Sequence, residues 1–427
     1  MCWREVCGYI RRMPQRNILV VAIDGLRASA LGAYGNTTFA TPAFDRFAAE
    51  SIALDWCYAL SSHLSPTYRA LWQSRHPLRA APEADAASTL PGLLAAQGFR
   101  TTLITDEPEL AVFSAAANFD NLLNVTPADS AVAPTTRVDT IADTSLARLF
   151  SAACDVVAAQ GTSEREPAPQ LVWIHSRGMY GAWDAPLELQ ETMRDEEDPP
   201  PIQEVAPPNL ILADDHDPDV VFRYSSAYAG QVIALDACWS ELIQAVEHAG
   251  TPEWLVVLVG VRGYSLGEHA RIGGVDPRLY AEQLHVPALV RFPSGLGRLR
   301  RTGDLASHLD LLPTLADWSE VPPPPNSTAW EGTSWLPLAR APRVNWREAL
   351  VFGDAAGSRA IRTAAWSLRR DATPDDGSAQ SDSLEYLSEL FVRPDDRWEA
   401  NNVAKLCPDI VDELTDAIDD AQRQLSC

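Results

Sequence analysis

The sequence predicts an α/β fold: a large, mixed, mostly parallel sheet between helices, followed by a small C-terminal α+β subdomain with an antiparallel sheet. Three observations predict it. The run Ile18–Ile23 (ILVVAI) is apolar at every position, as suits a strand buried on both faces of a parallel sheet. Similar runs recur at Leu171–Ser176 (LVWIHS) and Trp254–Gly260 (WLVVLVG) with helix-length segments between them, a β-α-β rhythm that implies a sheet sandwiched by helices. Beyond the proline-rich segment Val321–Ser327 (VPPPPNS), which reads as a linker, EALVFGDAAGSRAIRTAAWSLRRD has the short β-rich pieces of a small antiparallel sheet. The implied division is an α/β domain over 15–325 and a C-terminal subdomain over 335–427.

Taken in order, the first strand ends at Asp24-Gly25, a strand-to-loop turn of the kind at which open α/β sheets place their ligands. A helical pattern covers Pro42–Glu50, a β-rich piece follows, and a second helix runs from Thr67 to about Ser74. Leu90–Gln97 reads as a helix closed by Gly98, and FRTTLIT (Phe99–Thr105) returns as a strand. A long helix is expected from about Ser225 to Ala249 and a final one from about Pro408 to Gln424, with a loop over Asp371–Ser383. The stretch 186–219, with MRDEEDPPP and DDHDPD, is too polar for a core element; a surface lid and disorder are both open.

With 34 basic against 58 acidic residues, a formal charge of −24, the chain is a poor partner for nucleic acid or an anionic membrane. No segment approaches the ~20 apolar residues that a membrane helix needs. The opening MCWREVCGYIRRMPQRN has basic clusters but no apolar stretch of secretory length, so a cytoplasmic location is the expectation, with an upstream start left open. Seven widely spaced cysteines without a CxxC pair indicate neither a disulfide framework nor a zinc site.

An ordered series of segments carries a family likeness: NILVVAIDGLRASALGAYGN from Asn17, TPAFDRFAAESIALDWCYA, SSHLSPTYRALWQSRHP (Ser61–Pro77), LVVLVGVRGYSLGEHA (Leu255–Ala270), HVPALVRFP with ASHLDLLPTLADW, and ELFVRPDDRWEANN. Together they resemble the sulfatases of the alkaline-phosphatase superfamily. That resemblance implies the fold above, and a cysteine or serine in CxPSR or SxPSR, oxidised to formylglycine, whose hydrate attacks sulfur. It also implies a divalent cation, usually calcium, held by paired carboxylates after the first strand and an Asp-Asn or Asp-His pair after a late one. Such a hard cation takes six to eight oxygen ligands, several of them anionic.

Set on that template, the functional positions are replaced together. The carboxylate pair becomes Asp24-Gly25; the nucleophile becomes Leu64, with Pro66 matched, Thr67 under the serine and Tyr68 under the arginine. Sliding by one puts Ser65 and Arg69 in those roles but breaks the proline match. Val261 and Arg262 occupy the late metal-ligand pair, Asp106 replaces the expected lysine, and Tyr180 stands near the expected histidine. Leucine has no lone pair with which to attack, and a guanidinium only donates. Arg262 is therefore expected to replace the cation and pair with Asp24, since a buried carboxylate needs a partner; the bland alternative is an Arg262 that points to solvent. His63, His175 and His269 are candidates for residual acid-base work, and Ser65 and Thr67 for a rewired nucleophile. The expected function is a non-catalytic, metal-free sulfatase-like protein, a pseudoenzyme. It would bind a small anionic ligand or a protein partner in a pocket lined by Asp24, Arg262 and Tyr68, or act as a scaffold. The alternative is a sulfuric- or phosphoric-ester hydrolase with a non-standard site, which would carry calcium and recognise its substrate through Arg27, Arg69 or Arg177.

Overall fold

The computed structural model of the protein describes residues 16–79, 88–125, 136–159, 168–249, 254–323, 330–340, 346–354, 357–372 and 386–426. The boundaries expected at 15 and 325, residues 324–327 of the expected linker and 373–383 of the expected loop lie outside them.

The strands, in chain order, are β1 (Asn17–Ile23), β2 (Ile52–Tyr58), β3 (Arg100–Thr105), β4 (Asn121–Asn124), β5 (Gln170–Ser176), β6 (Asn209–Ile211), β7 (Trp254–Gly260), β8 (Arg271–Gly273), β9 (His285–Val286), β10 (Ala288–Arg291) and β11 (Arg300–Ser307). The C-terminal portion adds β12 (Ala349–Gly353), β13 (Arg359–Thr363), β14 (Trp366–Ala372) and β15 (Tyr386–Val392). Nine strands form one sheet in the order β11-β2-β10-β7-β1-β5-β3-β4, with β9 paired to β2. Only the pairings of β10 and β9 are antiparallel, so the sheet is mixed and mostly parallel. β1 is central and buried at every residue, with Ile18, Val20 and Ala22 on one face and Leu19, Val21 and Ile23 on the other. The two-residue period of a strand feeds two separate core layers in this way.

Helices Pro42–Ala49, Leu64–Gln73, Leu90–Ala96, Ser145–Ala159, Pro218–His248 and Leu311–Trp318 cover the sheet. The second of these begins at Leu64 rather than Thr67, because Pro66 falls in the first turn, where no backbone N–H is needed. The long helix begins at Pro218, seven residues before the expected Ser225, with Asp217 capping the Asp219 N–H. The acidic stretch is more than a polar loop. It contains the short helix Glu188–Glu191 and β6, which pairs with β8, and it buries Ile202 and Val205. The Gln190 amide group bonds both backbone groups of Ile202, at 3.1 and 3.2 Å. No helix among the described residues is long and apolar enough to cross a membrane.

The C-terminal sheet is antiparallel, in the order β12-β13-β14-β15. The helix Pro408–Ser426 lays Leu414 and Ile418 on Ile361, Leu368 and Leu390. An ion pair between buried Arg362 and Glu399, at 3.0 Å, ties this sheet to its own closing loop. Arg393 reaches across to the Tyr58 hydroxyl, at 2.7 Å, and joins the subdomain to β2. Because Ile418 is fully buried, Ile418→Ala should destabilise the fold by about 2–5 kcal/mol, read from denaturant midpoints. A loss under about 1 kcal/mol would show the helix to be loosely docked.

Candidate functional site

Strand register determines which side chains meet. Ile23 pairs with Ser176 on one side and Gly260 on the other, while Thr105 pairs with His175. The residues that follow (Asp24, Arg177, Val261-Arg262 and Asp106) therefore emerge together at the carboxyl edge of the sheet. The N-terminal end of the Leu64–Gln73 helix meets the same edge, since Arg262 Nη1 donates to Ser62 O at 3.2 Å.

At the centre, Arg262 grips Asp24. Nε donates to Oδ1 at 2.9 Å and Nη2 donates to Oδ2, a two-pronged pair between a carboxylate that is 1% exposed and an arginine that is 7% exposed. The Gly25 N–H also donates to Asp24 Oδ1, at 3.1 Å. The guanidinium lies over the Tyr180 ring, 4.4 Å from its centroid. Burial alone would weaken its hold on the proton. The Asp24 carboxylate more than offsets this and raises the arginine above its ordinary value.

A dication does not fit these residues. Both oxygens of the one carboxylate are taken by guanidinium N–H groups, and Val261 is buried and apolar. Gly25 has φ 74° and cannot take a side chain without conflict, since a Cβ there would lie 2.7 Å from that of Met179. Among the described residues no group of three or more His, Cys, Asp or Glu is placed to hold a metal ion.

Leu64 opens its helix and joins the buried apolar cluster that contains Tyr68, Trp72 and Val261. The Tyr68 hydroxyl lies 2.5 Å from His175 Nδ1. Burial holds the His175 imidazole down to about 3, the Arg262 and Arg177 charges adding to it, and burial pushes the Tyr68 hydroxyl up; tyrosine donates and the neutral ring accepts. The Tyr180 hydroxyl lies 3.1–3.2 Å from Gly263 O, Gly274 O and Gln283 Oε1. Asp106 accepts from the Arg177 N–H at 2.7 Å, and burial pushes its carboxyl up to about 7. Asp24, Arg262 and Tyr68, expected to line a pocket, are at most 7% exposed: Asp24 and Arg262 hold each other, and Tyr68 faces His175.

Other expected residues lie elsewhere or are otherwise engaged. Ser65 is exposed, and the Thr67 hydroxyl is spent on His63 O at 2.9 Å. His63 pairs with Asp354, at 2.7 Å. His269 bridges Glu282 (2.8 Å) and the Glu399 carbonyl (3.0 Å), and its ring stacks on Tyr280. Burial opposes its charge, but Glu282 prevails and its affinity for protons is raised. Arg69 holds the backbone carbonyls of Pro77 and Arg79, Arg27 pairs with Glu268 at 2.7 Å, and Arg177 pairs with Glu107 at 3.1 Å. Sequence reasoning missed Ser62, Gln283 and Gly274, which contribute backbone or amide acceptors that no side-chain motif signals.

A family model described as Sulfatase matches residues 16–321. The chain is similar to N-acetylglucosamine-6-O-sulfatase of Bacteroides thetaiotaomicron, 26% identical over 136 residues, a match spanning 30% of this chain and 23% of that protein. Its fold is similar to that of the phosphonate monoester hydrolase of Agrobacterium radiobacter, with a TM-score of 0.75 at 16% identity over 96% of each chain. It is also similar to that of a protein solved with its substrate D-glucosamine-2-N,6-O-disulfate, with a TM-score of 0.70 at 16% identity over 96% of this chain and 98% of that one.

Two measurements probe the site. Arg262→Met leaves Asp24 buried without a counter-charge and should cost about 3–5 kcal/mol, most of which Asp24→Leu in the same chain should restore. No recovery in the double variant would mean that the two residues are not coupled. The second concerns His175, whose imidazole binds a proton more weakly folded, at about 3, than unfolded, at about 6.5. Its contribution is present above pH ~6.5 and fades as pH falls, by about 2 kcal/mol between pH 7 and 5. Unfolding free energies at both values should show this loss in the wild type and lack it in His175→Asn; equal losses would refute the neutral ring.

Proposed function

The chain belongs to the sulfatase family, and from that premise we propose that it is a non-catalytic member whose ancestral active-site position has become a structural ion pair. The protein acts by binding or scaffolding through other surfaces. The observation that carries the reading is Arg262: its three guanidinium nitrogens are committed to Asp24 and to the Ser62 carbonyl, in the place where the family likeness calls for a cation ligand. A fixed guanidinium neutralises the carboxylate. It offers no open coordination position to polarise an ester or activate a nucleophile.

Three further features support it. Leu64, at the nucleophile position, has neither lone pair nor acidic proton. Thr67 is buried and bonded to backbone, and His175 is neutral with its Nδ1 facing Tyr68. Among the described residues at these positions, no nucleophile and base are placed together with an oxyanion-stabilising group, which is the minimum for ester hydrolysis. The relatives' activities favour the opposing reading, a hydrolase with a non-standard site.

A time course with 4-nitrophenyl sulfate and 4-nitrophenyl phosphate separates the two. The proposal expects wild type to release no more nitrophenolate than a folded Asp24→Ala control. Turnover in the wild type that disappears in that control would establish a hydrolase.

A further inference from the structure

We propose that an open hollow beside the buried ion-pair site binds a small planar aromatic monocarboxylate. The hollow, about 230 Å³, is lined by the loop after β1, by β2 and β11, and by the C-terminal loop that carries Arg397 and Trp398. Its walls are rings. Trp56 stacks on His285 with centroids 5.2 Å apart, Tyr34 forms another side, and Trp398 stands over the opening 43% exposed. Burial holds His285 down to about 4, so it contributes a neutral ring face. An exposed tryptophan beside an arginine is the combination that binding sites enrich.

Three guanidiniums line the hollow, and each has its face on a ring: Arg301 over Tyr34 at 5.6 Å, Arg27 over Trp398 at 5.7 Å and Arg397 over Trp398 at 4.5 Å. Stacking leaves the N–H edge to recognise an anion. The Arg27 edge is used by Glu268 at 2.7 Å and Ser29 at 3.2 Å, and that of Arg301 by Asp55 at 2.5 Å and the Ala33 carbonyl at 2.6 Å. The other lining carboxylate, Glu282, is held by His269. Arg397 has no ion pair or hydrogen bond among the described residues. With Arg27 and Arg301 engaged by Glu268 and Asp55, one guanidinium edge of the hollow, that of Arg397, is left to bind.

One free edge selects one oxyanion, and a flat two-oxygen carboxylate matches the planar fork of a guanidinium. Ring walls on several sides select a flat aromatic body, whose stacking adds to the burial of its faces. The inference does not rest on the reading of the ion-pair site. Ligand binding here can fail while ester hydrolysis remains absent, and the reverse also holds.

The test is quenching of tryptophan fluorescence and calorimetric titration of the full chain with benzoate. The comparison probes are benzyl alcohol, D-glucuronate and phenyl sulfate, each lacking the charge, the flat ring or the carboxylate. Saturable benzoate binding is expected, weakened at least tenfold in Arg397→Ala and in Trp398→Ala at unchanged melting temperature, with every comparison probe at least tenfold weaker. Both substitutions replace exposed side chains, so the variants should fold. The proposal is overturned by the absence of saturable benzoate binding, by unchanged affinity in both variants, or by phenyl sulfate binding as tightly as benzoate.

Discussion

The rest of the site depends on one buried ion pair. Asp24 ends the central strand of a parallel sheet, where it is 1% exposed. An isolated carboxylate in such surroundings is penalised by several kcal/mol, so the position demands a positive partner. In the family this chain belongs to, the likeness assigns that role to a dication. Here Arg262 fills it from the end of the adjacent parallel strand. Val261 joins the apolar core, and Gly25 takes a left-handed turn packed against Met179. Leu64 packs into the same apolar cluster. The changes form one consistent rearrangement in which protein groups satisfy the local electrostatics.

Much of the architecture was legible because apolar runs and helix caps are local signals. The all-apolar run at Ile18–Ile23 announced a strand buried on both faces, and Asp24 at its end marked the functional edge. What local signals miss is register and long-range pairing. The helix at Leu64 was read from Thr67, three residues short, although a first-turn proline costs no hydrogen bond. The acidic stretch looked too polar to pack, yet Ile202 and Val205, two apolar residues among prolines, anchor it. Tyr180, placed by sequence only near the expected histidine, lies directly under the Arg262 guanidinium. His269, a plausible acid or base from its type, is committed to Glu282 and the Glu399 carbonyl, partners 13 and 130 positions away.

The proposed non-catalytic role would separate this chain's function from the chemistry of its fold neighbours. A shared α/β scaffold conveys neither activity nor substrate. The open volume lies nearby, where the C-terminal loop brings Arg397 and Trp398 over β2 and β11. The subdomain therefore completes a surface feature as well as adding stability. Arg27, three residues beyond Asp24, links the two regions: its backbone N–H bonds the Tyr228 hydroxyl, and its side chain edges the hollow.

The central claim is that Arg262 stands in for a metal ion. Its most direct test is elemental analysis of the purified protein together with thermal-shift titrations against calcium, magnesium, manganese and zinc. A ligand that binds only the folded state must raise the melting temperature. With Arg262 in that role, the protein should retain no metal and show no saturable shift with any of the four. A stoichiometric metal, or a saturable rise that disappears in Asp24→Asn, would contradict it.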